Sequence, residues 1–276
     1  MMNNSETAEY FEKKAQGYDL VENQPYWRLS DALLWSLLAR KVFNRLPANF
    51  SFLDAGGGTG RWTKKVLENY PESTGHLKDI SEPMLAVARC KFERMSPSRV
   101  TISRGDIQRM SDLEDESFDL VFSFHNVIGF VENAVIALKE QLRVLKKGGI
   151  LVTVAPSRLH MAFFNIFTGN LGFAEQTLES NRGRFVSGMP EIDNFTPDQL
   201  TDIYAGMGVS DVHVHGFPVL IYPGYQETQL HGSTHSLENL LSESENFDKI
   251  FRMESRVIEN ESVASRGNNL FVFGTK

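Results

Sequence analysis

Apolar positions along the chain alternate between two spacings. Short dense runs of Phe, Leu, Val and Ile near 50–55, 75–80, 99–103, 118–124 and 149–155 read as buried strands. Near 60–70, 83–94 and 133–145 the apolar residues recur at helical spacing. Strand and helix exchanging at so short a period imply a parallel sheet with right-handed crossovers. Ahead of this core, Tyr10 to Asp19 places Phe11, Ala15 and Tyr18 near one helical face. A loop is expected at Gln24-Pro25, then a longer helix from Tyr26 to Phe43 with Trp27, Leu34, Trp35, Leu38 and Val42 on one side, closed by Pro47. Behind the core, Pro156 to Met189 is rich in aromatics but interrupted by glycines. Thr196-Pro197-Asp198-Gln199 reads as a capped helix start, with Thr as cap, Pro in the first turn and Gln199 closing a capping box. That helix should stop at Gly206 or Gly208. Ser210 to Phe217 alternates as a strand, turn signals follow at Pro223-Gly224, two weak helices are expected over Ser236–Leu241 and Phe247–Asn260, and Leu270 to Thr275 reads as a last strand.

Composition changes this picture little. With 276 residues, 41% of them apolar, the chain can bury one large core, and one domain with insertions is the default. Met1 to Thr7 is polar, and no apolar run reaches the length of a membrane span, so a cytoplasmic protein with no membrane partner is expected. A net charge of −7 and a pI near 5.6 make nucleic acid an unfavoured partner. The single cysteine, Cys90, allows no disulfide within the chain and is expected to be a small buried side chain in the apolar run Met84 to Phe92. No pattern fixes an oligomeric state.

The candidate chemistry lies at the end of the first strand, where Phe50 to Gly60 runs into Asp54-Ala55-Gly56-Gly57-Gly58-Thr59-Gly60. A strand, a tight glycine turn and a helix start form a pocket for an adenosine-containing cofactor, because glycines let backbone N–H groups approach the ligand. The glycines at 56, 58 and 60 lack the dinucleotide spacing, and no Gly-Lys-Ser or Gly-Lys-Thr follows for a phosphate loop. Parallel strands bring their carboxyl ends to one edge, so Gly56, Asp79, Asp106 and His125 should meet there.

The acidic-Ala-Gly-x-Gly-x-Gly pattern resembles the first motif of the class I S-adenosylmethionine-dependent methyltransferases, and the next segments match in order. Lys78-Asp79-Ile80-Ser81-Glu82-Pro83-Met84-Leu85 looks like the second strand end, Arg104-Gly105-Asp106-Ile107 like the third, Ser117 to Val121 like the fourth strand, and Arg143 to Gly149 like the turn before the fifth. The resemblance implies an α/β fold: a seven-stranded, mostly parallel, Rossmann-like sheet with helices on both faces, an N-terminal helical lid over 1–48, a cofactor core over 49–157 and cap insertions over 158–195 and 218–267. It implies S-adenosyl-L-methionine as cofactor, with S-adenosyl-L-homocysteine as product. Asp79 would take both ribose hydroxyls and Asp106 the adenine amino group. Ile107 would donate its backbone N–H to the adenine ring, and Ile80, Met84 and Ile107 would sandwich that ring. Gly56, Gly58 and Gly60 with Asp54 and the Ala55 carbonyl would hold the methionine end. Phe124 and His125 would flank the sulfonium, and Tyr18, in Tyr10-Phe11-x(6)-Tyr18-Asp19, would lie in the lid, although these aromatics equally suit a helix anchored to the core.

Methyl transfer needs a base only when the acceptor enters protonated. His125 is the candidate by position, with a hydrogen-bonded strand-end residue as the alternative. The Asn/Asp-Pro-Pro-Tyr/Phe motif of amino-methylating DNA enzymes is replaced by His125-Asn126-Val127-Ile128, Cys90 is on the wrong element for a nucleophile, and no carboxylate precedes Glu132 for a catechol-type metal site. A metal-free enzyme acting on oxygen or nitrogen of a small organic acceptor is therefore expected. The rivals are a tRNA or protein methyltransferase and a silent cofactor-binding partner subunit. Met161, Phe163, Phe164, Phe167, Phe173, Phe185, Met189, Tyr222 and Tyr225 are candidates to roof the cavity, and Arg158, Arg182 and Arg184 to recognise an anionic acceptor. His160, His213, His215, His231 and His235 read as structural or exposed; His231 and His235 alone make a weak metal pair.

Overall fold

The sheet is built from β1 (Ser51–Ala55), β2 (Thr74–Asp79), β3 (Val100–Arg104), β4 (Phe118–Ser123) and β5 (Leu145–Pro156). A separate two-stranded ribbon, β6 (Arg182–Gly183) and β7 (Ile192–Asp193), precedes the last two sheet strands, β8 (Ser210–Phe217) and β9 (Asn269–Thr275). The sheet order is β3-β2-β1-β4-β5-β9-β8, with β1 to β5 pairing parallel and β9 antiparallel to both its neighbours. This computed structural model describes residues 4–95, 98–221 and 237–276. The Pro223-Gly224 turn, Tyr222, Tyr225, His231, His235 and Ser236 lie outside the described residues.

Period-two alternation along the strands feeds two apolar layers. Phe52, Phe122, Val152, Val154, Phe271 and Phe273 face one side, packed by α2 (Pro25–Lys41), α3 (Arg61–Asn69) and α4 (Glu82–Met95). Leu53, Val121, Leu151, Leu270 and Val272 face the other, packed by α6 (Ala134–Val144) and α9 (Pro197–Gly206). Between β4 and α6 lies the single turn α5 (Val127–Phe130), and ahead of α2 lies α1 (Asn4–Glu12). Across the first layer Phe52 and Phe122 stack at 5.6 Å between centroids, Phe122 and Phe124 at 4.5 Å, and Phe124 meets Trp62 edge-on at 5.2 Å. The aromatic row thus runs from the centre of the sheet to its carboxyl edge. The Thr196 capping box at α9 forms as expected, and Gly208, at φ 83°, follows the end of the helix at Gly206.

Several elements differ from the sequence reading. The N-terminal helix breaks after Glu12 and continues as a 3-10 segment over Ala15–Asn23, and Pro25 is the first residue of α2 with Gln24 as its cap. On α2 the fully buried stripe is Leu29, Leu33, Leu34, Leu37 and Leu38, while Trp27 and Trp35 sit at its partly buried margin. β5 starts at Leu145, earlier than the glycines suggest, because Leu145 pairs with Phe118 and Gly148 absorbs the irregularity at φ 76°. The glycine-interrupted stretch after β5 holds two helices, α7 (Arg158–Phe167) and α8 (Leu171–Ser180), turned at Gly169. Cys90 is exposed: on α4 the buried stripe is Met84, Leu85, Ala88 and Phe92, and position 90 falls on the opposite face. The remaining helices are α10 (Leu237–Ser242) and α11 (Ser244–Val257).

Phe122, wholly buried between two stacked rings, is the keystone of the aromatic row. Phe122→Ala should lower unfolding free energy by about 3–5 kcal/mol in urea titration, as expected for a large-to-small change where neighbours cannot collapse. A loss below about 1 kcal/mol would show that the row is not under packing constraint.

Candidate active site

β1 ends in a turn that only glycine can follow. Gly56, Gly58 and Gly60 have φ of 81°, 54° and 75°, and a Cβ on Gly56 would stand 2.5 Å from Val127 Cγ1. The Gly56 N–H donates to the Lys78 carbonyl at 2.7 Å, and the Gly58 N–H donates to Asp79 Oδ2 at 2.8 Å. The turn is therefore bonded to the end of β2. Behind it, Lys78 is a buried ammonium donating to both oxygens of Asp112 at 2.9 and 2.7 Å.

The turn forms one wall of a cavity of about 920 Å³ of empty space, its mouth included. Of the residues expected there, Tyr18, Asp54, Gly56, Gly58, Asp79, Ile80, Met84, Asp106, Ile107, Phe124 and His125 all line it. Ala55 and Gly60 do not. Ala55 is fully buried within the sheet, and a Cβ on Gly60 would meet the Phe92 ring at 2.5 Å, behind the turn. Phe11 of the N-terminal aromatic stretch lines it too, as do residues not singled out from the sequence, among them Thr7, Arg61, Trp62, Val127 and Phe130.

Asp79 accepts from the Gly58 N–H with one oxygen and from the Ser81 N–H with the other, at 2.8 Å each. Burial raises its pKa, and these backbone bonds oppose the rise. Each oxygen keeps a further lone pair for a ligand. Asp106 accepts from the Gln108 N–H at 2.9 Å. Asp54 is buried and accepts from Thr63 Oγ1 at 2.6 Å; burial pushes its pKa up to about 7 against that bond, with the Asp79 charge adding to the rise.

His125 and Asn126 leave β4 in the left-handed region, at φ 53° and 69°. His125 Nε2 accepts from Trp62 Nε1 at 2.5 Å and from Arg61 Nη2 at 2.9 Å. Both partners are donors only, so Nε2 is the unprotonated nitrogen and Nδ1 carries the hydrogen. Burial drives the His125 pKa down to about 4, with the Arg61 charge acting in the same direction and Asp31 against it. The lone pair a general base would use is thus already engaged. Arg61 Nη1 in turn donates to Asp31 Oδ2 at 2.7 Å and to Glu22 at 3.4 Å. Burial pushes the Tyr18 phenol up to about 12, so it stays a neutral hydroxyl.

The N-terminal segments close over this edge. Asp19 accepts from Thr59 Oγ1 at 2.6 Å and from Lys91 Nζ at 2.8 Å, tying the 3-10 segment to the glycine turn. On α1, Phe11 meets Phe130 edge-on at 5.0 Å and Tyr10 stacks on it at 6.3 Å. Phe11 packs on Phe130, and both line the cavity.

The aromatic insertion does not roof the cavity directly. Met161, Met189 and Phe185 pack behind Phe130, Phe164 meets Phe185 edge-on at 5.5 Å, Phe173 lies under the Arg184 guanidinium, and Phe163 and Phe167 are exposed on the outer side of α7. Arg158 bonds Asn181, while Arg182 and Arg184 pair with Asp193 and Glu191 at 3.4 and 2.8 Å, so none of the three turns into the cavity. His160 is buried against Phe163 and Phe185, His213 pairs with Glu261 and Asp211, and His215 bonds the Ile258 carbonyl.

A family model described as "Methyltransferase domain" matches residues 52–149, the stretch from β1 to the glycines of β5. Residues 52–149 thus form a methyltransferase domain of the S-adenosylmethionine-dependent type. The chain is 37% identical over 168 residues to a demethylmenaquinone methyltransferase of Staphylococcus haemolyticus, covering 55% of this chain and 65% of the relative. It is 30% identical over 148 residues to a malonyl-[acyl-carrier protein] O-methyltransferase of Nitrosospira multiformis, covering 45% and 48%. Across the curated relatives quoted, the match spans about half to two-thirds of their length, and for a bifunctional biotin-biosynthesis protein of Teredinibacter turnerae it spans 27%. A Thermotoga maritima S-adenosylmethionine-dependent methyltransferase structure superposes with a TM-score of 0.56 at 21% identity, covering 96% of this chain and 97% of that one, which shows the shared fold. The family's cofactor is S-adenosylmethionine. No helix among the described residues is long and apolar enough to cross a membrane.

The His125 geometry has a direct readout. Its folded pKa of about 4 lies below the ordinary value near 6.5, so the ring should stay neutral and Nδ1-protonated from about pH 5 upward. Nitrogen-15 shifts of labelled histidine should show no His125 titration between about pH 5 and 8. A midpoint near 6.5 would mean that Nε2 is not held by Trp62 and Arg61.

Proposed function

We propose that this protein transfers the methyl group of S-adenosylmethionine to an oxygen or nitrogen of a small organic acceptor and releases S-adenosylhomocysteine. The observation that carries the reading is the single cavity in which the glycine turn, Asp79 and Asp106 meet beside an apolar platform of Ile80, Met84 and Ile107. In this reading Asp79 accepts from both ribose hydroxyls, using the lone pairs its backbone bonds leave. Asp106 accepts from the adenine amino group, the Ile107 N–H donates to the ring, and Asp54 faces the cationic methionine end. The acceptor's lone pair attacks the methyl carbon as the carbon–sulfur bond breaks and its electron pair returns to sulfur. Orientation of donor and acceptor supplies the larger share of the acceleration, on the order of 7–11 kcal/mol for well-aligned reactants. With Nε2 engaged, His125 acts as a fixed Nδ1–H donor beside the reacting centre, and an acceptor that starts protonated loses its proton to water. The lid of Thr7, Phe11 and Phe130 favours an acceptor small enough to lie beneath it. Relatives named for demethylmenaquinone and for malonyl-acyl carrier protein support an acceptor other than nucleic acid.

Calorimetric titration of S-adenosylmethionine should give micromolar binding that weakens at least about tenfold in Asp79→Ala, the loss expected for two hydrogen bonds to a carboxylate. Product release with a panel of phenol, carboxylate and amine acceptors then separates an enzyme from a silent cofactor-binding subunit. Absence of binding by the wild type, with and without those acceptors, would contradict the reading.

Asp54 gives the binding a pH dependence. In the free protein its folded pKa is about 7, so below that pH it holds a proton. The cationic cofactor favours the ionised carboxylate, so binding should release up to one proton and affinity should fall by up to about tenfold per pH unit below about 7. Titrations in buffers of different ionisation heat measure the released proton directly. A flat affinity and no proton release at about pH 6 would remove Asp54 from the cationic end.

A further inference from the structure

We propose that Arg61 is the receptor for the carboxylate of the cofactor's methionine end, an assignment that rests on the cofactor reading above. Arg61 is the first residue of α3, directly after the last glycine of the turn, and its side chain is 8% exposed. It lines the cavity, and it is the one lysine or arginine among the described residues that does. A guanidinium offers five N–H donors. Nη1 is spent on Asp31 and Glu22, and Nη2 gives one hydrogen to His125. Nε is buried without a hydrogen-bond partner, and the second Nη2 hydrogen is not required by His125. A buried donor of this kind costs free energy unless a ligand completes it.

Charge complementarity selects the ligand group. The cofactor carries a sulfonium, an ammonium and one carboxylate. The cavity offers three carboxylates, Asp54, Asp79 and Asp106, and this one guanidinium. With Asp79 and Asp106 assigned to the ribose and the adenine, Asp54 is left to face the cationic centres, whereas the carboxylate has a single cationic partner, Arg61. Asp31 and Glu22 hold the guanidinium through Nη1 and not Nε, and Asp31 keeps it charged against the cost of burial. The Nη2 bond to His125 places the same guanidinium beside the strand end, so the group that fixes the methionine tail also fixes the wall near the sulfonium.

The test compares S-adenosylmethionine with decarboxylated S-adenosylmethionine, which lacks only that carboxylate, by calorimetry on the wild type, Arg61→Met and Arg61→Lys. The wild type should prefer the intact cofactor by about tenfold or more, the range of a charge-assisted hydrogen bond. Arg61→Met should reduce that preference to within about twofold by losing affinity for the intact cofactor alone, and Arg61→Lys, with charge but no fork, should fall between. Equal binding of the two ligands by the wild type would overturn the assignment. So would an Arg61→Met protein that weakens toward both ligands by one factor, which is the signature of a merely structural guanidinium. If Arg61→Met does not fold, an Arg61→Lys protein with the full wild-type preference overturns it equally. Failure of the wild type to bind either ligand would instead sink the cofactor reading on which the assignment stands.

Discussion

The glycine turn is held to the end of the neighbouring strand by its own backbone, and the site depends on that constraint. The Gly56 N–H bonds the Lys78 carbonyl and the Gly58 N–H bonds Asp79, so the turn and the Asp79 carboxylate form one unit. The unit tolerates no side chain where it is closest: Val127 crowds Gly56, Asp54 and Leu77 crowd Gly57, and Phe92 crowds Gly60. Gly58 is different, since a Cβ there would have nothing nearer than Asp79 Oδ2 at 3.9 Å, and its side faces the cavity. The packed glycines fix the turn and the open one leaves room for the ligand.

A second layer of interactions carries this rigidity outward. Asp19 reaches Thr59 on the turn and Lys91 on α4, and Asp31 on α2 reaches Arg61 on α3. The segments before the sheet are therefore coupled to the pocket through charged hydrogen bonds, and the largely buried Asp31–Arg61 pair sits in a setting in which such bonds count for more than on the surface. Phe11 and Phe130 then complete the enclosure with apolar surface. In the proposed reaction such an enclosure would serve the alignment of donor and acceptor.

Much of the core was legible in the sequence because its signals are local. Strand and helix alternation, the glycine spacing and the Thr196 capping box each lie within a few residues, and the parallel topology followed from them. The Trp62–His125–Arg61–Asp31 network was not legible, since its members come from α2, α3 and the end of β4 and meet only through the fold. In sequence Arg61 and Trp62 read as an ordinary first helical turn. The aromatic insertion misled in the opposite sense: Phe163 and Phe167 suggested a cavity roof, but the helix that carries them turns those rings outward and spends Met161 on packing behind Phe130. Cys90 shows the same limit on a smaller scale, because an apolar run does not by itself say which helical face each member takes.

A crystal structure of the protein soaked with S-adenosylhomocysteine tests the central claim most directly. The account predicts ribose hydroxyls on both oxygens of Asp79, the adenine amino group on Asp106 with the ring between Ile80, Met84 and Ile107, and the sulfur beside Phe124 and His125. Density for the ligand elsewhere, or in this cavity with its ribose away from Asp79, would contradict it.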